Sequence, residues 1–421
     1  MKRLYAVLLV FWLAVSVACG SAAPAVPSTR ATKPPRPGTS TPAAPTSSPS
    51  RVVIESRPVK MIQLVGEEDR ERHVPSASQS WTRYKLAGTD LGVPFTHKGV
   101  TYLLFGDTIG FRRGDAIGYT SDNNPEDGLE LIFLHDQNGY LPVTIPGISQ
   151  GAFEVPMEGI SLGSKMYIYH TTDSSEASQI GRDEARMGRS VLAVSADDGY
   201  SFTYLYDVST DKFINVSVVQ VNPADWGGFP DSSSAGLAIF GSGNYRRDVV
   251  YLAYQPTAQI EQRGSYRYFS GLDASGRPGW STEESKAQPL TDQPCVGEFS
   301  VSYNRFIHKW IMLYNCFLPA SRGINLRTAD QPWGPWSPPE ILFQPWDDGG
   351  YCHFMHASWS SQKCDEVHDP GREDVWAGEY GPYQFEDWAT GDSNRTTIYF
   401  TLSTWNPYTV VLIKATLRRG N

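Results

Sequence analysis

Basic runs, CxxC pairs, apolar runs long enough to span a bilayer and amphipathic helical periods of useful length are all missing from this chain of 421 residues. With no basic run and a net charge of −9, nothing supplies the positive stripe that phosphate binding requires, which argues against a nucleic-acid partner. Without CxxC spacing a zinc site is disfavoured, although His353, His356 and His368 lie near Cys352 and Cys364, and no metal or other cofactor is expected. A structural Ca²⁺ in a central channel stays open at this point. Without a helical period of useful length, the fold class is all-β.

The first residues are organised differently from the rest. Lys2 and Arg3 precede an apolar stretch from Leu4 to Ala18 that is too short to span a bilayer as a stable helix, and Ser16-Val17-Ala18-Cys19 follows the pattern of an export signal. Small residues directly before a cysteine resemble the bacterial lipobox, which makes Cys19 the candidate lipidated residue and residues 1–19 a lipoprotein signal peptide; Ser16, where Leu is more usual, leaves an ordinary signal peptide as the alternative. Residues 20–57 are dominated by Ala, Pro, Ser and Thr and hold too little apolar surface to offset the entropy of ordering them, so they read as a disordered tether. Residues 58–421 then form one large domain with no second linker. The expected location is extracytoplasmic, secreted or on the bacterial cell surface, with membrane contact only through the anchor at Cys19; a monomer is the expected state.

Cysteine use agrees with export. Beyond Cys19 there remain Cys295, Cys316, Cys352 and Cys364, an even number that allows three pairings. Cys295 with Cys316 and Cys352 with Cys364 are favoured, because the first pair brackets one hairpin and the second one loop.

One pattern recurs along the domain: a polar or acidic residue, a short extended segment, a turn, then an apolar strand rich in aromatics. The returning strands are TYLLFGD at 101–107, MYIYHT at 166–171, VVYLAYQ at 249–255, KWIMLYN at 309–315 and TIYFTLST at 397–404. Five such hairpins, spaced for four-stranded blades, predict a five-bladed β-propeller, since radial repetition is how an all-β chain of this size avoids long exposed edges. Ser195, Asp197, Gly199 and Phe202 lie close to the Asp-box turn of propeller proteins, and with Trp336 they are assigned to the scaffold.

In a propeller the innermost strands line the central channel and their ends converge on one face. On that basis Asp90, Glu158, the turn from Asp231 to Ser234, Glu298 and the segment from His353 to His356 are expected around one pocket. Asp90 is the sharpest of these. In LAGTDLGVPFTHKGVTYLLFGDT, a turn centred near Lys98 sets Asp90 opposite residue 106, so Asp90 and Asp107 arrive side by side at one end of the hairpin. Adjacent carboxylates push their pKa values apart, which lets one act as acid and the other as base or nucleophile. Gly88, Gly92 and Gly106 flank the pair, where backbone space near a ligand is useful. Trp 12, Tyr 22 and Phe 18 supply flat faces suited to sugar rings, although most must be core.

Two segments go further. LAGTDLGVPFTHKGVTYLLFGDT resembles the opening blade, and EYGPYQFEDW with TIYFTLSTWNPYTVVLIKATL the closing blade, of glycoside hydrolase family 183, formerly a domain of unknown function. The resemblance runs from about residue 80 to 418. It implies an endo-acting D-arabinofuranase that cleaves the D-arabinan of mycobacterial arabinogalactan or lipoarabinomannan, with its essential acidic pair falling on Asp90 and Asp107. It also implies furanose contacts from Tyr380, Tyr383, Trp405, Asn406 and Tyr408, with ring closure and core packing an at least equal reading for Tyr408. The alternative is a non-catalytic glycan-binding propeller. A sialidase is disfavoured, because no convincing set of arginines stands at the blade starts.

Overall fold

The computed structural model describes residues 51–151, 153–174, 188–231, 234–243, 245–357, 367 and 377–420. The signal peptide, Cys19 and Cys364 lie outside these described residues.

Five antiparallel sheets follow one another along the chain, and each is a propeller blade. The first holds Leu86–His97, Val100–Gly110, Ala116–Thr120 and Ile132–Phe133. The second holds Pro156–Leu162, Lys165–Thr172, Arg189–Ser195 and Thr203–Ser209. The third runs from Asn215–Val221 through Gly236–Ser242, Tyr251–Pro256 and Arg267–Leu272 to Pro278–Ser281. The fourth holds Phe299–Asn304, Lys309–Cys316, Gly323–Ala329 and Glu340–Phe343. The fifth begins with Glu379–Tyr380, continues through Arg395–Trp405 and Tyr408–Arg419, and takes its outermost strand, Val52–Gln63, from the start of the domain. The innermost strands of the first four blades lie side by side in order, and the fifth blade returns against Leu86–His97 to close the ring.

The second strand of each blade explains why the repeat could be read at all. Lys309–Cys316 is buried at every position and Lys165–Thr172 at every position but its first, because a neighbouring blade packs on each face. A strand covered on both sides is written as a near-continuous apolar run, as a doubly covered sheet requires. The core accordingly lies between blades. Leu103 and Phe105 of the first blade meet Tyr399 and Leu412 of the fifth, and Phe240 and Leu252 of the third meet Trp310 and Met312 of the fourth.

Three readings of the sequence are confirmed in detail. Asp197 forms its turn on the second blade, accepting from Ser195 Oγ at 2.7 Å and Ser201 Oγ at 2.6 Å. Trp336 is buried between the third and fourth blades. Cys295 is bonded to Cys316, while Cys352 also sits in a disulfide whose expected partner, Cys364, is outside the described residues.

Two readings need correction. The outermost strand of the fifth blade begins at Val52, inside the segment read as tether, because Val52, Val53 and Ile54 are enough to pair with Arg419, Arg418 and Leu417 once that edge is present. In the third blade, VVYLAYQ belongs to the third strand rather than the second; the inner hairpin is Asn215–Val221 with Gly236–Ser242, in which small residues and glycines hide the apolar run.

The borrowed strand should matter for stability. A chain beginning at residue 58 loses half of the Val52–Gln63 ladder and one beginning at residue 64 loses all of it, so melting temperature should fall in steps relative to a chain beginning at residue 51. Equal melting temperatures for the three chains by calorimetry would show that the ring closes without this strand.

Candidate active site

The first hairpin turns at Lys98 and Gly99, both with positive φ (50° and 78°), and pairs in step from His97 with Val100 down to Val93 with Leu104. A bulge at Leu91 and Gly92, with φ of 67° and 72°, then shifts the register by one residue. Asp90 thereby faces Gly106 instead of Asp107. Asp107 has φ of 43°, the left-handed region that a β-strand residue does not normally enter, and with this bend both carboxyls line one cavity. Gly106 is required between them: a Cβ there would lie 2.6 Å from Val155 Cγ1 and 2.9 Å from Asp90 Oδ1.

The cavity has a volume of about 1000 Å³ and draws on every blade. Asp90, Asp107 and Asp115 come from the first, Met157 from the second, Asn215 and Arg246 from the third, Glu298 and Phe317 from the fourth, and Tyr380, Trp405 and Tyr408 from the fifth. Phe153, in the connection between the first and second blades, adds a half-exposed ring.

The two aspartates have unequal surroundings. Asp90 is only 7 % exposed; its Oδ2 accepts from the Tyr380 hydroxyl at 2.9 Å, and its Oδ1 has no hydrogen-bond partner. Burial pushes the Asp90 carboxyl well above the usual range, the charge of Asp107 pushes it further, and the hydroxyls of Tyr380 and Tyr408 only partly offset this. Asp107 is half-buried, and both its carboxyl oxygens accept from the Phe153 N–H, at 3.0 and 3.1 Å. Burial and the charge of Asp115 raise it to about 7, against the pull of the Phe153 N–H and His170. At neutral pH the pair can therefore offer a protonated carboxyl, Asp90, beside one poised to ionise, Asp107.

Glu298 is in the cavity but its lone pairs are already engaged. Arg246 donates to it through Nη2 at 2.9 Å and Nε at 3.2 Å, and Tyr245 through its hydroxyl at 3.1 Å. Burial raises its carboxyl, yet the Arg246 charge and the hydrogen bonds from Arg246 and Tyr245 together outweigh burial and hold it below the usual range. The guanidinium lies 4.6, 4.9 and 5.4 Å from the ring centres of Tyr245, Phe317 and Tyr380.

Of the residues expected around one pocket, the structure brings together Asp90, Asp107, Glu298, Tyr380 and Trp405, and adds Tyr408. It places the others elsewhere. Glu158 and Tyr383 line a separate cavity of about 190 Å³ in the channel, reached from the other ends of the inner strands. Asp231 sits at the turn after Asn215–Val221, opposite the end that carries Asn215; misreading the third blade by one strand put it on the wrong face. His353 is on the surface, its Nδ1 3.6 Å from Glu71 Oε1. His356 and Asn406 are fully buried, the His356 N–H donating to the Asn406 carbonyl at 3.1 Å, because the fifth blade contributes Glu379–Tyr380 as its inner strand instead.

Sequence reasoning missed Asp115, His170, Asn215, Tyr245 and Arg246. Two carried a signal: Gly114-Asp115 repeats the Gly106-Asp107 doublet, and His170 is a polar residue inside an apolar strand. Among the described residues, no group of three or more His, Cys, Asp or Glu side chains stands as metal ligands do.

A family model described as a domain of unknown function, DUF4185, matches residues 75–414. No curated protein matches the chain. Among solved structures, the chain is similar to an arabinanase of Bacillus subtilis at 12 % identity and a TM-score of 0.38, covering 78 % of this chain and 96 % of that one. It is also similar to an α-L-arabinofuranosidase of Podospora anserina at 12 % identity and a TM-score of 0.41, covering 84 % of this chain and 94 % of that one.

Glu158 permits a test of the burial argument. Its Oε2 accepts from Val218 N–H at 2.9 Å and Ser217 Oγ at 3.2 Å, no ion pair reaches it among the described residues, and burial lifts its carboxyl from 4.5 to about 8. A raised folded-state value favours folding below pH 4.5, where both states hold the proton, and that contribution is lost as pH climbs through 8. Glu158→Gln should thus gain on the wild type across this window at up to roughly 1.4 kcal/mol per pH unit. Calorimetric melts at several pH values check it; a constant offset between the two proteins would refute the buried protonated carboxyl.

Proposed function

The chain belongs to the DUF4185 family, and from the carboxyl pair that it carries we propose that it is a glycoside hydrolase acting on furanosides. The observation behind this reading is the pairing of Asp90 and Asp107 at one end of a single hairpin, in unequal surroundings, facing a cavity of about 1000 Å³. A binding module has no use for two carboxyls held together, since each raises the cost of ionising the other.

In the proposed reaction Asp90 is the general acid. It carries its proton at neutral pH because it is buried, and it delivers that proton to the leaving glycosidic oxygen as the bond breaks. Asp107, ionised and steadied by the Phe153 N–H, is the base or nucleophile at the anomeric carbon, around an oxocarbenium-like transition state. Tyr380 orients Asp90 through its hydroxyl, and Trp405, Tyr408, Phe153 and Phe317 offer ring faces to the sugars.

The GTDLG, FGDT, YGPY and STWNPY strings support the finer reading, an endo-acting D-arabinofuranase of the glycoside hydrolase family 183 type, with D-arabinan of mycobacterial arabinogalactan or lipoarabinomannan as substrate. Export and lipidation at Cys19 would set the enzyme at the cell envelope, where such a polymer is found.

Incubation of the purified protein with mycobacterial arabinogalactan, followed by chromatography of the products, tests the reading. Released oligosaccharides are expected. Asp90→Asn and Asp107→Asn should each lower turnover by at least about a hundredfold while leaving the melting temperature equal to or above that of the wild type. Near-normal turnover in a folded Asp90→Asn protein would refute the mechanism. Binding of the polymer without products from the wild type would make the protein a glycan-binding propeller instead.

A further inference from the structure

Behind Asp107 lies a second acid, Asp115, and behind that a histidine from the next blade. Asp115 is 3 % exposed; its Oδ1 accepts from the Asp107 backbone N–H at 3.0 Å, and its Oδ2 is 2.7 Å from His170 Nε2. His170 has no exposed surface. Its other ring nitrogen, Nδ1, is 2.6 Å from the Thr171 carbonyl oxygen, and Gln150 Nε2 is farther away, 3.5 Å from Nε2.

Both ring nitrogens therefore face oxygen acceptors, but a neutral imidazole has only one N–H. The second hydrogen bond needs one more proton, located on the imidazole or on the Asp115 carboxyl. In either case the two side chains together are electrically neutral. Burial already pushes the Asp115 carboxyl up against the pull of His170; without the histidine it would be a second buried acid that titrates as a coupled pair with Asp107, each ionisation raising the other. The other titratable or charged groups around this pair are Asp107 itself, Glu154 from the connection between the blades, Tyr140 and Arg113 of the first blade, and Tyr408 of the fifth. Glu154 is occupied elsewhere, accepting from Gly151 N–H at 2.6 Å and Ser149 Oγ at 2.8 Å. Among the described residues within hydrogen-bond reach, only His170 can neutralise Asp115.

We propose that the Asp115–His170 pair is a positioning element that fixes the bend at Asp107 and sets the pH at which Asp107 becomes competent. The proposal rests on the hydrolase reading above, in which Asp107 works as the ionised partner. It differs from a purely structural strut between two blades, which would affect stability and leave the pH dependence of the chemistry in place.

The test compares the wild type with His170→Gln, Asp115→Asn and the double variant, following kcat/KM against pH on the furanoside that the wild type cleaves. In His170→Gln, Asp115 titrates beside Asp107 with no cation to offset its charge as it forms, so the acidic limb should move up by at least about one pH unit. The double variant has no such charge, and its limb should return to the wild-type position. Asp115→Asn alone replaces one neutral pair with another, since the Asn amide can donate to a neutral imidazole, and should not move the limb upward. An unmoved limb in folded His170→Gln, a double variant that does not return, or an upward shift in Asp115→Asn would each overturn the proposal. Should His170→Gln fail to fold, His170→Asn, whose side chain is likewise neutral, takes its place in the same comparison with the same expected upward shift. The ¹³C carboxyl titration of Asp107 in the same proteins needs no activity: a midpoint that rises in His170→Gln and returns in the double variant supports the pair even if no furanoside is cleaved, and an unchanged midpoint counts against it.

Discussion

Holding two carboxyls close together out of water is the constraint around which the rest of this protein is arranged. An ionised carboxylate loses several kcal/mol of solvation on burial, and a second one beside it adds repulsion. The hairpin meets this by staying partly protonated and by giving each group a different partner: a phenol hydroxyl for Asp90, a backbone N–H for Asp107. The geometry depends on features that carry no charge. The bulge at Leu91 and Gly92 moves Asp90 out of register, the bend at Asp107 brings the next side chain round, and Gly106 leaves room for both.

Neither partner belongs to the hairpin. Tyr380 comes from the fifth blade and Phe153 from the connection to the second, so the pair exists only when the ring is closed. Two chains of contacts lead away from it. One runs from Asp90 through Tyr380 to Arg246 and Glu298, crossing from the first blade to the fifth, third and fourth. The other runs from Asp107 through Asp115 to His170, crossing to the second. Closure by Val52–Gln63 and the packing between blades are thus conditions for the site as well as for the fold.

The legible parts were those governed by local rules. Strands covered on both faces must be apolar throughout, so four of the five second strands were identified by composition; Gly236–Ser242 was not, because its glycines and small side chains make room for Phe213, just before Asn215–Val221, and for Tyr254 of the next strand. That one-strand error carried Asp231 to the wrong face and concealed Asn215. The Asp-box residues and the Cys295–Cys316 link were legible for the same reason, each being closed within a few turns of chain. Asp90 and Asp107 were found because a tight turn sets which residues oppose one another, and the structure pairs Asp90 with Gly106 as counted from that turn.

The sequence by itself determined the all-β class, the number of blades and the acidic pair, since strand alternation, turn chemistry and hairpin register act over a few residues. Only the tertiary structure decided which of the remaining acids join that pair. Glu158 begins an inner strand much as Asp90 does, yet it faces a separate cavity, where neighbouring backbone N–H groups take up its oxygens. Glu298 reaches the main cavity but is bound by Arg246, which lies 52 residues away in sequence. Asp115 and His170, 55 residues apart, meet only because adjacent blades pack. Whether a carboxyl is free, paired or protonated depends on burial and on neighbours brought together by ring closure, and no local pattern along the chain encodes that.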